Sequence, residues 1–450
     1  MKKAMKMITR KTTMGTFLGS EHDDACAFLA VPYARAKRFE YCERIDRYEK
    51  TVDATKMGAS CPQYREAYPH LDVPERLFYY KEFREGTEFI YDEDCLNLNI
   101  YTPKNADGCP VIVYFHGGGF NSGSNAEDPF RGVELAKRGI ITVFANYRVG
   151  VLGYFCHEEI KKKYHRNGNF GLDDQLQALR WVRDHIREFG GDETNITLAG
   201  QSAGAISIQY LCLNHDLEGL FQRALMMSGA GLFPKFALPK KAEETYAYWL
   251  EMMDLAGCRR FEEFQTCGIR KIHDAYEAIR QKRKDSVYHM MPVVDGFLIK
   301  DSIDKLIGDP LNLNYMIGYT NNDMYAPLMA YIGNRFGRDN HAYVYFFDID
   351  APGDDNGAFH SSDLRYMFGT LDTSWRPYRE RDREVSGQML DYLANFAKSG
   401  NPNGSRLPVW DPMSRNNGKV LCYALKNTKM GRPSYGKLAK NMLTKGDPKA

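Results

Sequence analysis

One pentapeptide, Gly-Gln-Ser-Ala-Gly at residues 200–204, combines residue types that suit a nucleophilic serine. A β-type run at 195–199 precedes it, and a stretch of helical character follows at 203–211. A strand that turns directly into a helix makes a tight, strained bend, and the bend exposes the residue at its tip. The two glycines leave room for strand and helix to approach each other. We therefore predict that Ser202 is a nucleophile at a helix N-terminus, where N–H groups favour negative charge.

A glycine-rich turn supplies a second element of the same chemistry. The apolar run at 111–115 predicts a buried strand, and it leads into His-Gly-Gly-Gly-Phe at 116–120. Three consecutive glycines cost chain entropy, which is tolerable where the backbone itself must approach a ligand. Loops of this type, with the N–H after the nucleophile, form the oxyanion hole of α/β-hydrolase esterases. Each motif alone also fits an ordinary turn, but the two in this order predict an enzyme with oxyanion donors at Gly118, Gly119 and Ala203.

Six further stretches, spread over almost the whole chain, carry a more specific pattern. They are Phe-Leu-Ala-Val-Pro-Tyr-Ala at 28–34, Glu-Asp-Cys-Leu-Asn-Leu-Asn-Ile-Tyr at 93–101, Asn-Tyr-Arg-Val-Gly at 146–150, Gly-Asn-Phe-Gly-Leu-Asp-Asp-Gln at 168–175, Phe-Gly-Gly-Asp at 189–192 and Phe-Ala-Lys-Ser-Gly-Asn-Pro-Asn at 396–403. With them the chain resembles the type-B carboxylesterases, the family of α/β-hydrolases that includes the cholinesterases. The resemblance implies one α/β-hydrolase domain over 1–450, with a mostly parallel central sheet flanked by helices. It also implies a helical insertion at about 235–310 over the active site.

The alternation of β and α segments predicts the same mostly parallel sheet covered by helices. The expected strands are 111–115, 141–146, 196–200, 223–228, 313–319 and 343–349. Apolar residues at helical spacing predict a helix over 173–189 with one buried face: Leu176, Leu179, Val182, Ile186 and Phe189. Residues 240–290 are rich in charge and helix formers and fit the insertion, whose Met and aromatic residues we expect in the core.

The general base must follow Ser202, because this fold orders its catalytic groups as serine, acid and histidine. The histidines after it are His215, His273, His289, His341 and His360. Only His360 lies in a loop after a convincing strand, at 343–347, and its surroundings at 357–369 resemble the family's catalytic-histidine segment. We predict that His360 is the base.

The predicted acid is Asp323, which follows the strand-like run 315–319. The resemblance places glutamate here in relatives, and both acids serve in this fold. Aspartate is one methylene shorter, so its loop must come closer to His360. Three rival carboxylates stay open: Asp295, Asp348 and Asp350. Each is more simply explained as a turn or strand-end residue.

The chain also departs from the family pattern near the predicted site. Gln201 stands where relatives have glutamate, which removes a buried charge beside the serine, and Ala205 replaces a glycine. The segment between Asp323 and His360 is much shorter than in relatives, where it forms a pocket wall. We expect a more open site whose substrate contacts cannot be transferred from the family.

Composition excludes several classes of partner. The chain has 60 basic and 58 acidic residues, and this net charge of +2 does not favour nucleic acid or an anionic membrane. No run is apolar enough to span a membrane, and the basic N-terminal region lacks the apolar stretch of a signal peptide. We therefore expect a cytoplasmic protein. No Cys-His cluster has zinc spacing, and we expect neither a metal nor an organic cofactor.

Ten cysteines bear on the same question of compartment. By the resemblance, Cys61 with Cys95 and Cys258 with Cys267 fall where secreted relatives place disulfides. In a reducing compartment all four stay thiols, and that is the state we expect.

These features together predict a serine hydrolase that cleaves small-molecule carboxylic esters through an acyl-enzyme. Hydrolysis of amides or carbamates by the same residues is one alternative. A cholinesterase-like binding protein that keeps the fold without catalysis is another, although such proteins lack the serine or its partners. Oligomeric state, acyl group and alcohol group stay open.

Overall fold

The computed structural model describes residues 6–22, 24–67, 77–230, 239–283, 289–323, 342–414 and 418–434, with Phe336 and Gly436 as isolated positions. Its strands are Lys6–Lys11 (β1), Thr16–His22 (β2), Ala25–Pro32 (β3), Ala34–Arg35 (β4), Glu43–Arg44 (β5), Val52–Asp53 (β6), Asn97–Pro103 (β7), Cys109–Phe115 (β8), Ile141–Ala145 (β9), Gly191–Gln201 (β10), Arg223–Met227 (β11), Asn314–Thr320 (β12), Ala342–Phe347 (β13), Val420–Tyr423 (β14) and Lys429–Gly431 (β15). Its helices are Tyr64–Ala67 (α1), Leu77–Phe83 (α2), Val133–Ala136 (α3), Gly150–Tyr154 (α4), Glu158–Tyr164 (α5), Phe170–His185 (α6), Ala203–Cys212 (α7), Tyr246–Leu255 (α8), Phe261–Thr266 (α9), Ile269–Lys282 (α10), Ile303–Leu306 (α11), Leu364–Phe368 (α12) and Glu380–Ser399 (α13).

A single 13-stranded sheet organises the described chain. Its strands lie in the order β1-β2-β3-β7-β9-β8-β10-β11-β12-β13-β14-β15, and β6 pairs with β2. From β9 to β14 every neighbouring pair is parallel, while the pairs at both edges of this order are antiparallel. The six expected strands are the central parallel strands β8 to β13. The predicted fold class is therefore confirmed.

Both faces of this sheet are buried, which explains the continuous apolar runs of its strands. In β8, Val111, Val113 and Phe115 belong to one hydrophobic cluster, together with the buried face of α6. Ile112 and Tyr114 belong to a second cluster, together with α13. The apolar residues predicted for the α6 region are all buried, and a 3-10 turn at Ile186–Phe189 ends it.

The chain between β11 and β12 forms α8 to α11, which is the region of the expected insertion. Many of its Met and aromatic residues are buried in the cluster that also contains α6, as expected: Trp249, Met252, Phe264 and Tyr276 are examples. Residues 231–238 and 284–288 lie outside the described chain, as does His341. The bounds of the insertion and of the single domain therefore stay predictions. Among the described helices, none combines the length and the apolarity that crossing a membrane requires.

All ten cysteines are free thiols in the structure. A hydrogen bond with Cys61, together with burial, raises the pKa of the Cys95 thiol. Burial and the neighbouring Cys258 thiol likewise raise the pKa of Cys267. Cys61 therefore lies beside Cys95, and Cys258 beside Cys267, as the family resemblance implied, and all four are thiols.

Candidate active site

Ser202 occupies the sharp turn between β10 and α7. Its backbone angles are φ 54° and ψ −122°, a conformation that L-residues rarely adopt. Its N–H donates a hydrogen bond to the Met227 carbonyl at 2.8 Å, which extends the parallel ladder up to the turn. Strain of this kind persists only where the surrounding structure imposes it.

The two flanking glycines are what impose this turn. A Cβ on Gly200 would lie 2.7 Å from the Gly204 carbonyl carbon, and a Cβ on Gly204 would lie 2.1 Å from the Phe115 oxygen. Both separations are too short for real carbon contacts. The strand, the helix and β8 therefore pack backbone against backbone, and Ser202 stands out of that packing.

The glycine-rich loop lies beside this turn. A Cβ on Gly117 would approach the Ser202 Cβ to 3.0 Å. Gly118 and Gly119 have positive φ angles, 117° and 61°, a region of backbone conformation that glycine adopts far more readily than other residues. Within the described part of the chain, the N–H groups of Gly118, Gly119 and Ala203 donate no hydrogen bond. These three groups can therefore donate to an oxygen that arrives next to Ser202.

His116 shapes the start of that loop and is no candidate base. Its buried ring stacks on Tyr147, with centroids 4.3 Å apart, and Nδ1 donates to the Gly117 carbonyl at 2.8 Å. Burial lowers the pKa of His116 to about 4. The ring is therefore neutral near pH 7 and serves the backbone of the loop.

His360 and Asp323 are joined at the carboxyl edge of the sheet. His360 Nδ1 lies 3.1 Å from Asp323 Oδ2, and the carboxylate is fully buried. The loops that carry them pair with each other, since Asn322 forms an isolated parallel bridge with Phe359 and its N–H donates to the Ala358 carbonyl at 3.0 Å. This pairing compensates for the short aspartate side chain.

Two carboxylates set the charge state of the imidazole. Burial lowers the pKa of His360, but the charge and hydrogen bond of Asp323 and the charge of Asp363 outweigh it, so the pKa lies above its ordinary value. Asp363 is buried and accepts a hydrogen bond of 2.6 Å from the Tyr345 hydroxyl. Burial raises the pKa of Asp363 to about 6.

Gln201 contributes a contact that sequence reasoning missed. Its Nε2 lies 3.0 Å from His360 Nε2 and 2.8 Å from Ser361 Oγ. No hydrogen bond in the described structure joins Ser202 Oγ to the histidine. The only signal in the sequence was the unusual residue type directly before the predicted nucleophile.

Helix α2 supports the histidine loop from the other side. The Tyr79 hydroxyl donates to the His360 carbonyl at 3.2 Å, and the rings of Phe78 and Tyr79 pack against Phe359 at 5.0 and 5.8 Å. No sequence motif indicated this contact, because it joins segments 281 positions apart.

A buried ion network ties α2 to the chain that follows His360. Glu82 accepts hydrogen bonds from Arg365 and, at 2.6 Å, from Arg376. Arg365 also donates to Asp128 at 2.8 Å, and Arg376 to Asp354 at 2.9 Å. The side chains of Glu82 and both arginines are at most 3% exposed. Removing one member of such a network is costly, because it leaves the remaining charges buried without their partner.

The other described histidines and carboxylates that were candidates for the base and the acid make contacts elsewhere in the structure. His215 is exposed and its ring contacts the Asp309 carbonyl, His273 is buried on α10, and the ring of His289 stacks on Tyr248.

The rival carboxylates also have other surroundings. Asp295 Oδ1 accepts hydrogen bonds from the N–H groups of residues 297–299, Asp348 accepts one from the Asn321 side-chain amide, and Asp350 is exposed. Asp323 is thus the carboxylate that the structure brings to His360 Nδ1. No group of His, Cys, Asp and Glu in the described chain could hold a metal ion.

Comparison with known proteins decides the family. A model described as the carboxylesterase family matches residues 6–336 and 324–439. The chain belongs to the carboxylesterase family. The predicted resemblance is thereby confirmed, as is the predicted activity of this carboxylesterase, serine-dependent hydrolysis of carboxylic esters.

Individual relatives agree with this assignment. The chain is 28% identical to a bile salt-activated lipase of Rattus norvegicus, over 89% of this chain and 78% of that protein. It is 26% identical to a para-nitrobenzyl esterase of Bacillus subtilis, over 87% and 90% of the two chains. A neuroligin-2 of Mus musculus is 31% identical, but over only 65% of this carboxylesterase and 37% of that protein. Among solved structures, a PNB esterase superposes with a TM-score of 0.82 at 23% identity and covers 96% of this chain and 98% of its own, which shows the shared fold.

Proposed function

We propose that this carboxylesterase hydrolyses small-molecule esters with Ser202 as nucleophile, His360 as general base and Asp323 as the acid behind the base. The observation that carries the proposal is the 3.1 Å hydrogen bond between His360 and Asp323. It joins a histidine to a buried carboxylate at the same edge of the sheet where the strained turn presents Ser202. A nucleophile, a base and an orienting acid in chain order are the working parts of a serine hydrolase.

Acylation uses the backbone and the imidazole together. Ser202 Oγ attacks the ester carbonyl while its proton passes to His360 Nε2, and Asp323 stabilises the resulting imidazolium. The N–H groups of Gly118, Gly119 and Ala203 bind the oxyanion of the tetrahedral intermediate. Collapse of that intermediate breaks the ester C–O bond, and the imidazolium gives its proton to the leaving alcohol.

Deacylation repeats the same steps with water. His360 Nε2 takes a proton from water, whose oxygen attacks the acyl carbonyl on Ser202. The second tetrahedral intermediate expels Ser202 Oγ, which regains its proton from His360. The acid product leaves and the resting enzyme returns. Neither half of the cycle needs a metal or an organic cofactor.

Covalent labelling tests this assignment. An organophosphate reacts readily only with a base-activated hydroxyl beside an oxyanion site. We expect peptide mapping to find the adduct on Ser202, and Ser202→Ala to remain unlabelled and to lose nitrophenyl ester turnover. Ser207 and Ser228 are matched internal controls, since both are buried serines near the same turn. An adduct on either of them instead would refute the proposed nucleophile.

Two further assays separate the alternatives. Turnover of a nitrophenyl ester and of the matching nitroanilide distinguishes an esterase from an amidase with the same residues, and we expect the ester to be much the better substrate. A chain that binds without catalysis would show neither label nor turnover. A series of nitrophenyl esters of increasing acyl length then defines the acyl preference.

We also propose that the enzyme acts in the cytoplasm. The ten free thiols support a reducing compartment, because paired thiols of a secreted protein would be oxidised. Fractionation of cells that produce the full-length protein tests this, with recovery in a secreted or membrane fraction as the contrary result.

A further inference from the structure

The Gln201 carboxamide is held between the catalytic loops. On one side its Nε2 faces His360 Nε2 at 3.0 Å and Ser361 Oγ at 2.8 Å. On the other side its Oε1 lies over Gly117, where an added Cβ would come within 2.6 Å of it. The residue is only 3% exposed, and its side chain cannot swing into solvent without leaving both contacts.

The protonation state of the imidazole decides which way these hydrogen bonds run. Asp323 accepts at Nδ1, so the proton of the neutral ring lies on Nδ1 and Nε2 carries the lone pair. Gln201 faces that lone pair with its NH2 group and can donate to it. Once Nε2 is protonated, an N–H meets an NH2 group and this hydrogen bond is lost.

We propose that Gln201 is a positioning residue that holds resting His360 in its base form by donating to Nε2, and that Ser202 replaces it there during catalysis. The proposal rests on the proposed roles of Ser202 and His360. It accounts for the contact of Nε2 with the carboxamide in place of the serine hydroxyl. It also assigns a use to a residue type that the sequence singled out without explaining it.

Among the described residues, the charged groups that act on the His360 ring are Asp323 and Asp363, and both favour the protonated ring. Gln201 opposes them, because a hydrogen bond to the neutral form disfavours the charged form. A carboxylate at the same position would instead accept from Nε2–H and favour the charged ring. The residue type at position 201 therefore tunes the pH at which the base becomes active.

Three variants of equal or similar size test this directly. Gln201→Glu replaces the donor by a charged acceptor, Gln201→Met removes the polar group, and Gln201→Asn keeps the amide but shortens its reach. The acid limb of kcat/KM for a nitrophenyl ester should move upward by about one to three pH units in Gln201→Glu. It should move upward by less than about one unit in Gln201→Met and Gln201→Asn, which lose a single neutral hydrogen bond.

Nitrogen-15 NMR of the histidine rings gives a readout that does not depend on ester turnover. The His360 signal is assigned by its loss in His360→Gln. We expect the neutral wild-type ring to carry its proton on Nδ1, and the His360 pKa to rise from wild type through Gln201→Met to Gln201→Glu. Loss of turnover at all pH values without a shift of the limb would mean a merely structural role.

Two further results overturn the proposal. One is a wild-type ring protonated on Nε2 in its neutral state, and the other is an unchanged His360 pKa in all folded variants. Failure of the proposed function looks different, since Ser202→Ala would then keep its organophosphate label or its ester turnover while the NMR titration still reported on Gln201.

Discussion

The two halves of the active site are built in different ways. The Ser202 turn is held by backbone packing, with Gly200 and Gly204 at contacts that no larger residue could occupy. The His360 side is held by side chains from distant segments, including Asp323 and Gln201. The first half is a local backbone shape, whereas the second is an assembly of hydrogen bonds. Substitution of a turn glycine should therefore break the fold, whereas substitution of a polar group in contact with His360 should change the chemistry.

The largest effect is expected from Gly204→Ala. The new Cβ would lie 2.1 Å from the Phe115 oxygen, and neither backbone can withdraw without opening the sheet. We expect little or no folded protein, measured by soluble yield and thermal unfolding. Gly268→Ala is the matched control, since its Cβ would meet nothing within 4 Å. Normal folding of Gly204→Ala would show that the turn is not held by backbone contact.

Asp323→Asn should leave the fold intact and remove most of the chemistry. The asparagine keeps the shape but can hold the wrong imidazole tautomer, and we expect kcat to fall by about ten-thousand-fold with KM little changed. Steady-state kinetics and thermal unfolding measure both aspects.

The other carboxylates provide the controls for this prediction. Asp295→Asn, Asp348→Asn and Asp350→Asn should keep near-normal rates, and Asp323→Glu should keep partial activity. A sensitive Asp348 with an active Asp323→Asn would move the acid to the end of β13 and contradict the proposed triad.

Glu82→Gln tests whether the histidine loop depends on its supporting network. The change leaves Arg365 and Arg376 buried beside a neutral partner, and we expect a loss of about 3–5 kcal/mol in the free energy of unfolding. Denaturant unfolding measures it. Asp274→Asn breaks the exposed pair with Arg270 on α10 and should cost less than about 1 kcal/mol. Equal effects of the two changes would refute the importance of the buried network.

The smallest effect concerns pH. The pKa of His360 is raised, so the acid limb of kcat/KM should lie above the ordinary histidine value of about 6.5. The ion pair of His360 and Asp323 should also affect the free energy of unfolding, but this effect falls as pH rises, whereas activity increases. A raised histidine pKa stabilises the fold below the unfolded pKa, and that contribution is lost as pH rises through the folded pKa.

A pH titration of wild type and His360→Gln checks both signs. Activity should rise and the stability difference between the two proteins should fall over the same interval. An acid limb of kcat/KM at or below the ordinary histidine pKa would mean that Asp323 and Asp363 do not outweigh the effect of burial on the pKa of His360.

Much of the fold follows from local sequence. The central strands are continuous apolar runs and the α6 face has helical spacing, so the central parallel sheet with helices on both sides could be predicted. The edge strands β1, β2 and β6 could not, because they carry no continuous apolar run. Their pairing depends on neighbours that are distant in sequence.

The sequence by itself also determined the Ser202 turn and the glycine loop. Both consist of backbone conformations that adjacent residues specify, since only glycine tolerates the close contacts there. Ser202, Gly118 and Gly119 could therefore be predicted as site residues without a structure.

Only the tertiary structure decided which of the candidate carboxylates meets His360, and it alone revealed Gln201 beside the ring. Asp323 is 37 residues away and Gln201 is 159 residues away, and they meet the ring because the register of the sheet brings the strand ends to one edge. Tyr79 reaches the His360 loop, and Glu82 reaches Arg365 on the helix after it, from still farther along the chain. Side-chain hydrogen bonds between such segments leave no periodic pattern in the sequence, because their geometry exists only after the chain has packed.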